Sequence, residues 1–352
     1  MILHYLRRNA HSMARPLYPP LRLPSLRRPS PASPSTSSTR SVVSHHGPRR
    51  VVIVPKRSSG QHEPPPPPPS KHGFPPYFYA LGIFSVGGTV YYFSSFEETP
   101  YTGRKRPIFV SRQTELQLGE ASNKAMLRQF KGRVLPPDHP TVRLLRKVGR
   151  KLARAGGRDA EKLPWEFHVV DRDEIMNAAA MPGGKVVIFT GLKQCVNTEE
   201  ELAAVIGHEI SHVLLRHSAE QMASMAMVNS VLFFLALLGL PVNELTLILG
   251  DLVVHKPNSR LHEKEADRVG VLLCARAGYD PSAAVRVFER MAKVEEKRSG
   301  GVMMPGFLST HPAFPERISL LKEEAAKVRP IYEESKAQAL FAQAVGASGG
   351  GG

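Results

Sequence analysis

Residues 198–217, Thr-Glu-Glu-Glu-Leu-Ala-Ala-Val-Ile-Gly-His-Glu-Ile-Ser-His-Val-Leu-Leu-Arg-His, constrain this chain more than any other stretch. Thr198 followed three residues later by Glu201 is a capping box, which marks a helix start. Leu202, Val205, Ile206, Val213 and Leu214 supply an apolar stripe. The pattern predicts one helix over 198–217. His208 and His212, four apart, stand one turn apart on one face, so both imidazoles can reach a single metal ion. Glu209 projects roughly 100° round from His208, near enough to touch a water at the metal without being a ligand. This spacing is a zinc metalloprotease signature. Two surface histidines on an amphipathic helix would be the bland alternative, and a third ligand decides against it.

That third ligand comes from residues 259–277, which read as another helix with Ser259 as N-cap and Gly278 as its stop. Glu263, Ala266, Asp267 and Gly270 share one face at i, i+3, i+4 and i+7. Glu265 falls roughly 200° from Glu263, on the opposite side, and is not expected to matter to a metal. Ala266 and Gly270 permit close approach to a second helix. Catalytic zinc takes three protein ligands and keeps one position open, and two His with one Glu is a known set. His208, His212 and Glu263 are the expected ligands of one Zn²⁺ per chain. Asp267 can accept a hydrogen bond from the remaining nitrogen of a ligating histidine. The later segment Thr310-His311-Pro312 with Arg317 offers candidates for stabilising charge near the metal.

Charge is distributed unevenly. Residues 1–62 carry eleven Lys or Arg and no acid, so they supply +11 of the formal +16 and leave only +5 to the other 290 residues. The basic balance is a property of the leader, and no nucleic-acid partner is expected. An Arg- and Ser-rich, acid-free start without an apolar core has the composition of an organelle transit peptide. Residues 63–76 contain the run Pro64 to Pro69, a stiff extended linker. Residues 77–96, YFYALGIFSVGGTVYYFSSF, hold no charge and are long enough to cross a bilayer as a helix. Flanking charges do not orient it, with Lys56, Arg57 and Lys71 before and Arg104, Lys105, Arg106 and Arg112 after. The apolar run from Val231 to Val242 is short for a second span and contains Pro241, which suits a buried or membrane-dipping helix.

Ordinary globular composition begins near residue 107 and extends to about 335; residues 336–352 are expected to be a flexible tail. Helices are expected over 111–130 and 140–155, and strands over 165–170 and 185–189. Between the strands, Asn177-Ala178-Ala179-Ala180 followed by Met-Pro-Gly-Gly reads as a short edge strand and turn, where an extended peptide could add as a further strand. Cys195 and Cys274 have no metal-site spacing; buried thiols are the default and a disulfide stays open.

HEISH at 208–212, SRLHEKEAD at 259–267 and STHPAFPERI at 309–318 together resemble the HtpX and CAAX prenyl endopeptidase type of zinc peptidases, which are gluzincins. The resemblance runs from about residue 110 to 330. It implies an α+β, mainly helical, zincin-like metallopeptidase domain with a small edge-exposed sheet, here preceded by one transmembrane helix. It makes Glu209 the general base and His208, His212 and Glu263 the zinc ligands, with Asp267 behind them. It puts His311 and Arg317 near the substrate and Asn177 to Ala180 along it. RPIFVSRQTE (107–115), LPPDHP (135–140), the single span and the leader look most like the family's mitochondrial inner-membrane members, whose activity overlaps that of the m-AAA protease. The resemblance therefore implies an endopeptidase for membrane proteins, anchored in the inner membrane, facing the intermembrane space and serving protein quality control and stress response. A homo-oligomer stays open. Two other readings are carried: a membrane-tethered scaffold or chaperone with a structural metal, which would have no need of Glu209, and a prenyl-protein endopeptidase, which should have many spans.

Overall fold

The computed structural model describes residues 76–237, 239, 256–298, 307–311 and 316–348. The leader, the proline run, most of 238–255 and the last four residues lie outside them. Helix α1 (Pro76–Ser94) comes first, then a hairpin of β1 (Phe96–Glu98) and β2 (Lys105–Pro107). Helices α2 (Arg112–Gln129), α3 (Pro140–Ala155) and the short α4 (Arg158–Glu161) lead to strands β3 (Glu166–Val170), β4 (Ala178–Met181) and β5 (Lys185–Phe189). Then follow α5 (Glu199–Leu214), α6 (His217–Leu237), α7 (Lys256–Arg276), α8 (Ser282–Arg298), α9 (Phe307–Thr310), α10 (Glu316–Lys327) and α11 (Arg329–Ser348).

The mainly helical α+β class expected from the sequence is what the structure has. Helix α1 has 19 residues, about 28 Å at 1.5 Å per residue. Its exposed side chains include Ile83, Val86, Val90 and Phe93, which no described residue covers.

The three-stranded sheet has the order β3-β5-β4. Strand β5 runs parallel to β3 and antiparallel to β4, with Ala179 opposite Val187. Every residue of β5 is buried. Its alternate side chains serve two cores: Val186 and Ile188 face the main one, Val187 and Phe189 a smaller one with Met126 and Phe130 of α2. Gly183 and Gly184, at φ 76° and 85°, make the tight return from β4 to β5. Strand β4 is thus the edge strand its small residues suggested.

Helix α5 is the centre of the main core. Thr198 caps it by accepting from the Glu201 amide (3.2 Å), while the Glu201 carboxylate reaches back to the Asn197 amide (2.8 Å), one residue beyond the usual box partner. From Glu201 to Leu214 every residue but His212 is buried. Val142, Leu145, Val148 and Leu152 of α3 pack beneath it, as their spacing predicts.

Helix α7 crosses α5 at a pair of glycines. A Cβ on Gly270 would lie 2.9 Å from the His208 amide nitrogen, and one on Gly207 would lie 3.1 Å from the Gly270 carbonyl oxygen. Gly270 leaves no room for a Cβ and Gly207 little, so the backbones meet here, and the contact sets Glu263 against His208 and His212. Gly278 ends α7 at φ 66°, with the Tyr279 amide bonded to the Cys274 carbonyl (2.9 Å).

Three expectations need correction. Helix α7, expected over 259–277 with Ser259 as its N-cap, begins at Lys256, so Ser259 lies inside it. The helix expected over 198–217 stops at Leu214; Arg216 takes φ 53°, and His217 opens a new helix. Tertiary partners hold Arg216 there: its guanidinium bonds Glu115 (2.7 Å), the Val110 carbonyl (2.8 Å) and Glu97. The tail expected over 336–352 is helical to Ser348, since its Ala-, Gln- and Leu-rich stretch favours helix.

Gly270→Ala should cost about 1–3 kcal/mol through overpacking at the crossing, measured by chemical denaturation, and should weaken metal retention at the same time. An Ala variant as stable as the wild type would show that the crossing has slack.

Candidate metal centre

Four side chains from three segments converge below the helix crossing. His208 Nε2 lies 3.1 Å from His212 Nε2 and 3.3 Å from Glu263 Oε2; His212 Nε2 lies 3.5 Å from Glu263 Oε1. His311 Nδ1 stands 3.2 Å from His208 Nε2 and 3.0 Å from Glu263 Oε1. One ligand atom from each of the four lies within 4.8 Å of all the others. Around tetrahedral zinc, ligand atoms at about 2.0–2.1 Å from the ion stand roughly 3.3 Å apart. The observed spacings fit that cage.

Charge and hydrogen bonding agree with a cation here. Glu209, Glu263 and Asp267 are buried carboxylates, and Arg317 is the buried guanidinium among them. The pocket is therefore net negative, which a divalent cation would offset. Glu209 Oε2 accepts from the Ala180 amide (2.8 Å). Glu209 Oε1 has no hydrogen bond, although His311 Nε2 is 3.2 Å away at an unfavourable angle. That unsatisfied buried oxygen faces the cluster.

Each group is held from behind. His208 Nδ1 lies 2.9 Å from Asp267 Oδ1. Arg317 grips Asp267 with two bonds (2.7 and 2.9 Å), reaches Glu263 Oε2 at 3.1 Å and donates to the His311 carbonyl (3.1 Å). Its guanidinium stacks 4.6 Å from the Phe288 ring centre. The His311 ring stacks on Phe307, whose amide bonds the Met176 carbonyl beside the edge strand (2.7 Å).

Burial alone would depress the His208 imidazole, but the Asp267 and Glu263 carboxylates hold its pKa at about 9. His212 is pushed well below its ordinary value by burial. Burial would raise the Glu263 carboxyl; the His311 and His208 imidazoles keep it well below the usual range. Burial raises Glu209, so its carboxylate is the more basic of the two.

The sequence-derived residues His208, Glu209, His212, Glu263, Asp267, His311, Arg317 and Ala180 are all brought together. Asn177, Ala178 and Ala179 lie along the edge strand that borders the site. Two placements differ from expectation. His311 stands inside the donor set, closer than a charge-stabilising residue requires. Glu265 does face away from the cluster, yet it is buried and tied to the site through His217, a residue the motif reading passed over. His217 Nδ1 is 2.9 Å from His212 Nδ1, and its Nε2 is 3.2 Å from Glu265 Oε2. The signal for His217 lay in its position at the start of a new helix, which only the break at Arg216 reveals. Cys195 and Cys274 are buried thiols with no disulfide; burial pushes Cys274 up to about 12.

Comparison with known proteins agrees with this geometry. The model of Peptidase family M48 matches residues 141–325. The chain belongs to peptidase family M48. The matched segment contains His208, His212, Glu263 and His311, and α1 with the β1–β2 hairpin precedes it. The mitochondrial metalloendopeptidase OMA1 of Saccharomyces cerevisiae is 34% identical over 269 residues, covering 74% of this chain and 78% of that protein. The human mitochondrial metalloendopeptidase OMA1 is 30% identical, covering 72% and 51%. The Escherichia coli beta-barrel assembly-enhancing protease, at 28% identity, covers 71% and 52%.

Arg317→Met leaves Asp267 and Glu263 buried without their cation. It should cost about 3–5 kcal/mol in the metal-free protein, read by denaturant unfolding. A loss under 1 kcal/mol would mean that the network is not held by this charge.

Proposed function

We propose that the chain is a membrane-anchored zinc metalloendopeptidase of the mitochondrial inner membrane, with His208, His212 and Glu263 as ligands and Glu209 as base. The observation that carries the reading is the donor cluster with the unsatisfied Glu209 oxygen beside it and the edge strand alongside. The yeast and human relatives, both mitochondrial metalloendopeptidases by name, support the mitochondrial address and the endopeptidase activity.

Zinc held there would polarise the scissile carbonyl and bring the pKa of water to about 7. Glu209 has divided its two oxygens between tasks. The Ala180 amide fixes Oε2, which leaves Oε1 to take the proton of the attacking water and return it to the leaving amine. In the β4–β5 ladder, Asn177 and Ala179 bond inward, so Ala178 and Ala180 turn their backbone groups outward. Their outward amides are taken by Asn177 Oδ1 (2.8 Å) and Glu209; Ala178 is fully buried, so the carbonyl of the part-exposed Ala180 is the one left for an extended peptide. Asn177 to Ala180 form the substrate strand in this reading. His311 steadies charge on the peptide oxygen once its ring moves back from the donor set, and Arg317 keeps Asp267 and Glu263 in register.

Helix α1 is the membrane span in this reading. Helix α6 is long and apolar enough to cross a membrane, with mean hydropathy 1.4 and 17% of its apolar window buried. Its first turns, however, carry His217, Ala219, Glu220 and Ala223 into the protein core. The 14 residues beyond them reach only about 21 Å, short of a 30 Å hydrocarbon layer. Helix α6 dips into the same membrane in this account, which keeps the chain single-pass. Residues 1–62 act as the address, the domain faces the intermembrane space, and membrane proteins are the substrates because the hairpin holds the site beside the bilayer.

His212→Ala should lose its zinc by elemental analysis. Glu209→Gln should keep zinc and fold but lose turnover of a model peptide by about 10²–10⁴-fold; near wild-type cleavage would rule out the mechanism. His311→Ala should lower kcat more than it raises KM, and faster turnover would show instead that the ring plugs the site. Carbonate extraction should leave the full chain in the membrane pellet and release a chain lacking 77–96; a truncated chain that stays in the pellet would contradict the single anchor.

A further inference from the structure

The two ligand histidines are supported unequally. His208 Nδ1 stands directly against a carboxylate, Asp267 Oδ1, at 2.9 Å. His212 has no carboxylate behind it. Its Nδ1 meets another imidazole, that of His217, and only beyond that ring comes an acid, Glu265. A metal-ligating histidine needs its outer nitrogen protonated and bonded, because that fixes the tautomer and frees the inner lone pair.

We infer that His217 and Glu265 form a relay that fixes the tautomer and aim of His212, the counterpart for this ligand of Asp267 for His208. The inference rests on the metal-centre reading and names a positioning pair within it. The direction of the relay follows from acceptor chemistry. Glu265 takes Thr102 Oγ1 (3.0 Å) and Arg104 Nε (2.9 Å) on Oε1, and Arg104 Nη2 (2.8 Å) and His217 on Oε2. A carboxylate so bound to a guanidinium acts only as an acceptor, so His217 must present Nε2–H to it. The neutral ring then has Nδ1 as a lone pair. His212 must donate Nδ1–H to that lone pair, and its Nε2 is left unprotonated, facing His208 and Glu263. The stacked ring of His262, 4.2 Å from that of His217, packs against the relay. Arg104 also grips Glu220 (2.7 Å to each oxygen). The relay therefore ends on the hairpin that follows α1.

The test uses the full chain in detergent, with zinc affinity read by competition with a chelating dye. His217→Phe keeps the ring and removes both nitrogens; His217→Asn is smaller but puts an acceptor oxygen where Nδ1 stood. The relay predicts that Phe weakens zinc binding 10–100-fold and that Asn stays within about threefold of wild type. A role in filling space predicts the reverse order. Phe binding zinc like the wild type, or Asn losing as much as Phe, would overturn the inference. Wild-type protein that takes up no zinc would overturn the metal-centre reading itself. A measurement independent of variant folding is the nitrogen-15 spectrum of the metal-free wild type: His212 should carry its proton on Nδ1, and a proton on Nε2 would refute the relay.

Discussion

The crossing of α5 and α7 at Gly207 and Gly270 is the contact on which the site depends. Glu263 sits about two turns before Gly270 on α7, and His208 and His212 straddle the same level of α5. Were the helices held apart by ordinary side chains, at 8–10 Å between axes, Glu263 would be carried away from the imidazoles. Ser211 and Cys274 stay within this seam by bonding carbonyls of α5, Ser211 to Gly207 (2.7 Å) and Cys274 to Ala203 (3.4 Å).

So tight a seam concentrates charge. Three carboxylates and one guanidinium are buried within a few ångströms, and the arrangement is tolerable only with complete pairing. Arg317 supplies part of it, bonding Asp267 and Glu263 together. The remainder is the negative charge that a bound cation would meet. A second ionic cluster, Arg104 and Arg106 with Glu220 and Glu265, lies on the other side of His217. Among the described residues the His212–His217 pair links the two clusters. The site is thereby joined both to the late segment that carries His311 and to the hairpin next to the apolar helix.

Much of this was legible in the sequence, and for a clear reason. Helical periodicity is local, so it placed His208, Glu209, His212, Glu263 and Asp267 from spacing alone, and the small residues Ala266 and Gly270 announced a close crossing. What was illegible depended on distant partners. Leu-Leu-Arg-His continues a helix well by propensity; the turn at Arg216 exists because Glu115 and Glu97, about a hundred residues earlier, hold its guanidinium. Without that turn His217 would lie further along the same helix and could not bend back to His212. Glu265 was placed correctly on the face opposite Glu263, but an opposite face on a buried helix is another interior, not solvent.

The central claim is that one zinc is held by two imidazoles and a carboxylate. Zinc-edge X-ray absorption of the full chain tests it most directly. The account predicts a low-coordinate first shell of nitrogen and oxygen at about 2.0–2.2 Å with multiple scattering from imidazole rings, while a sulfur shell near 2.3 Å or a spectrum without imidazole would contradict it.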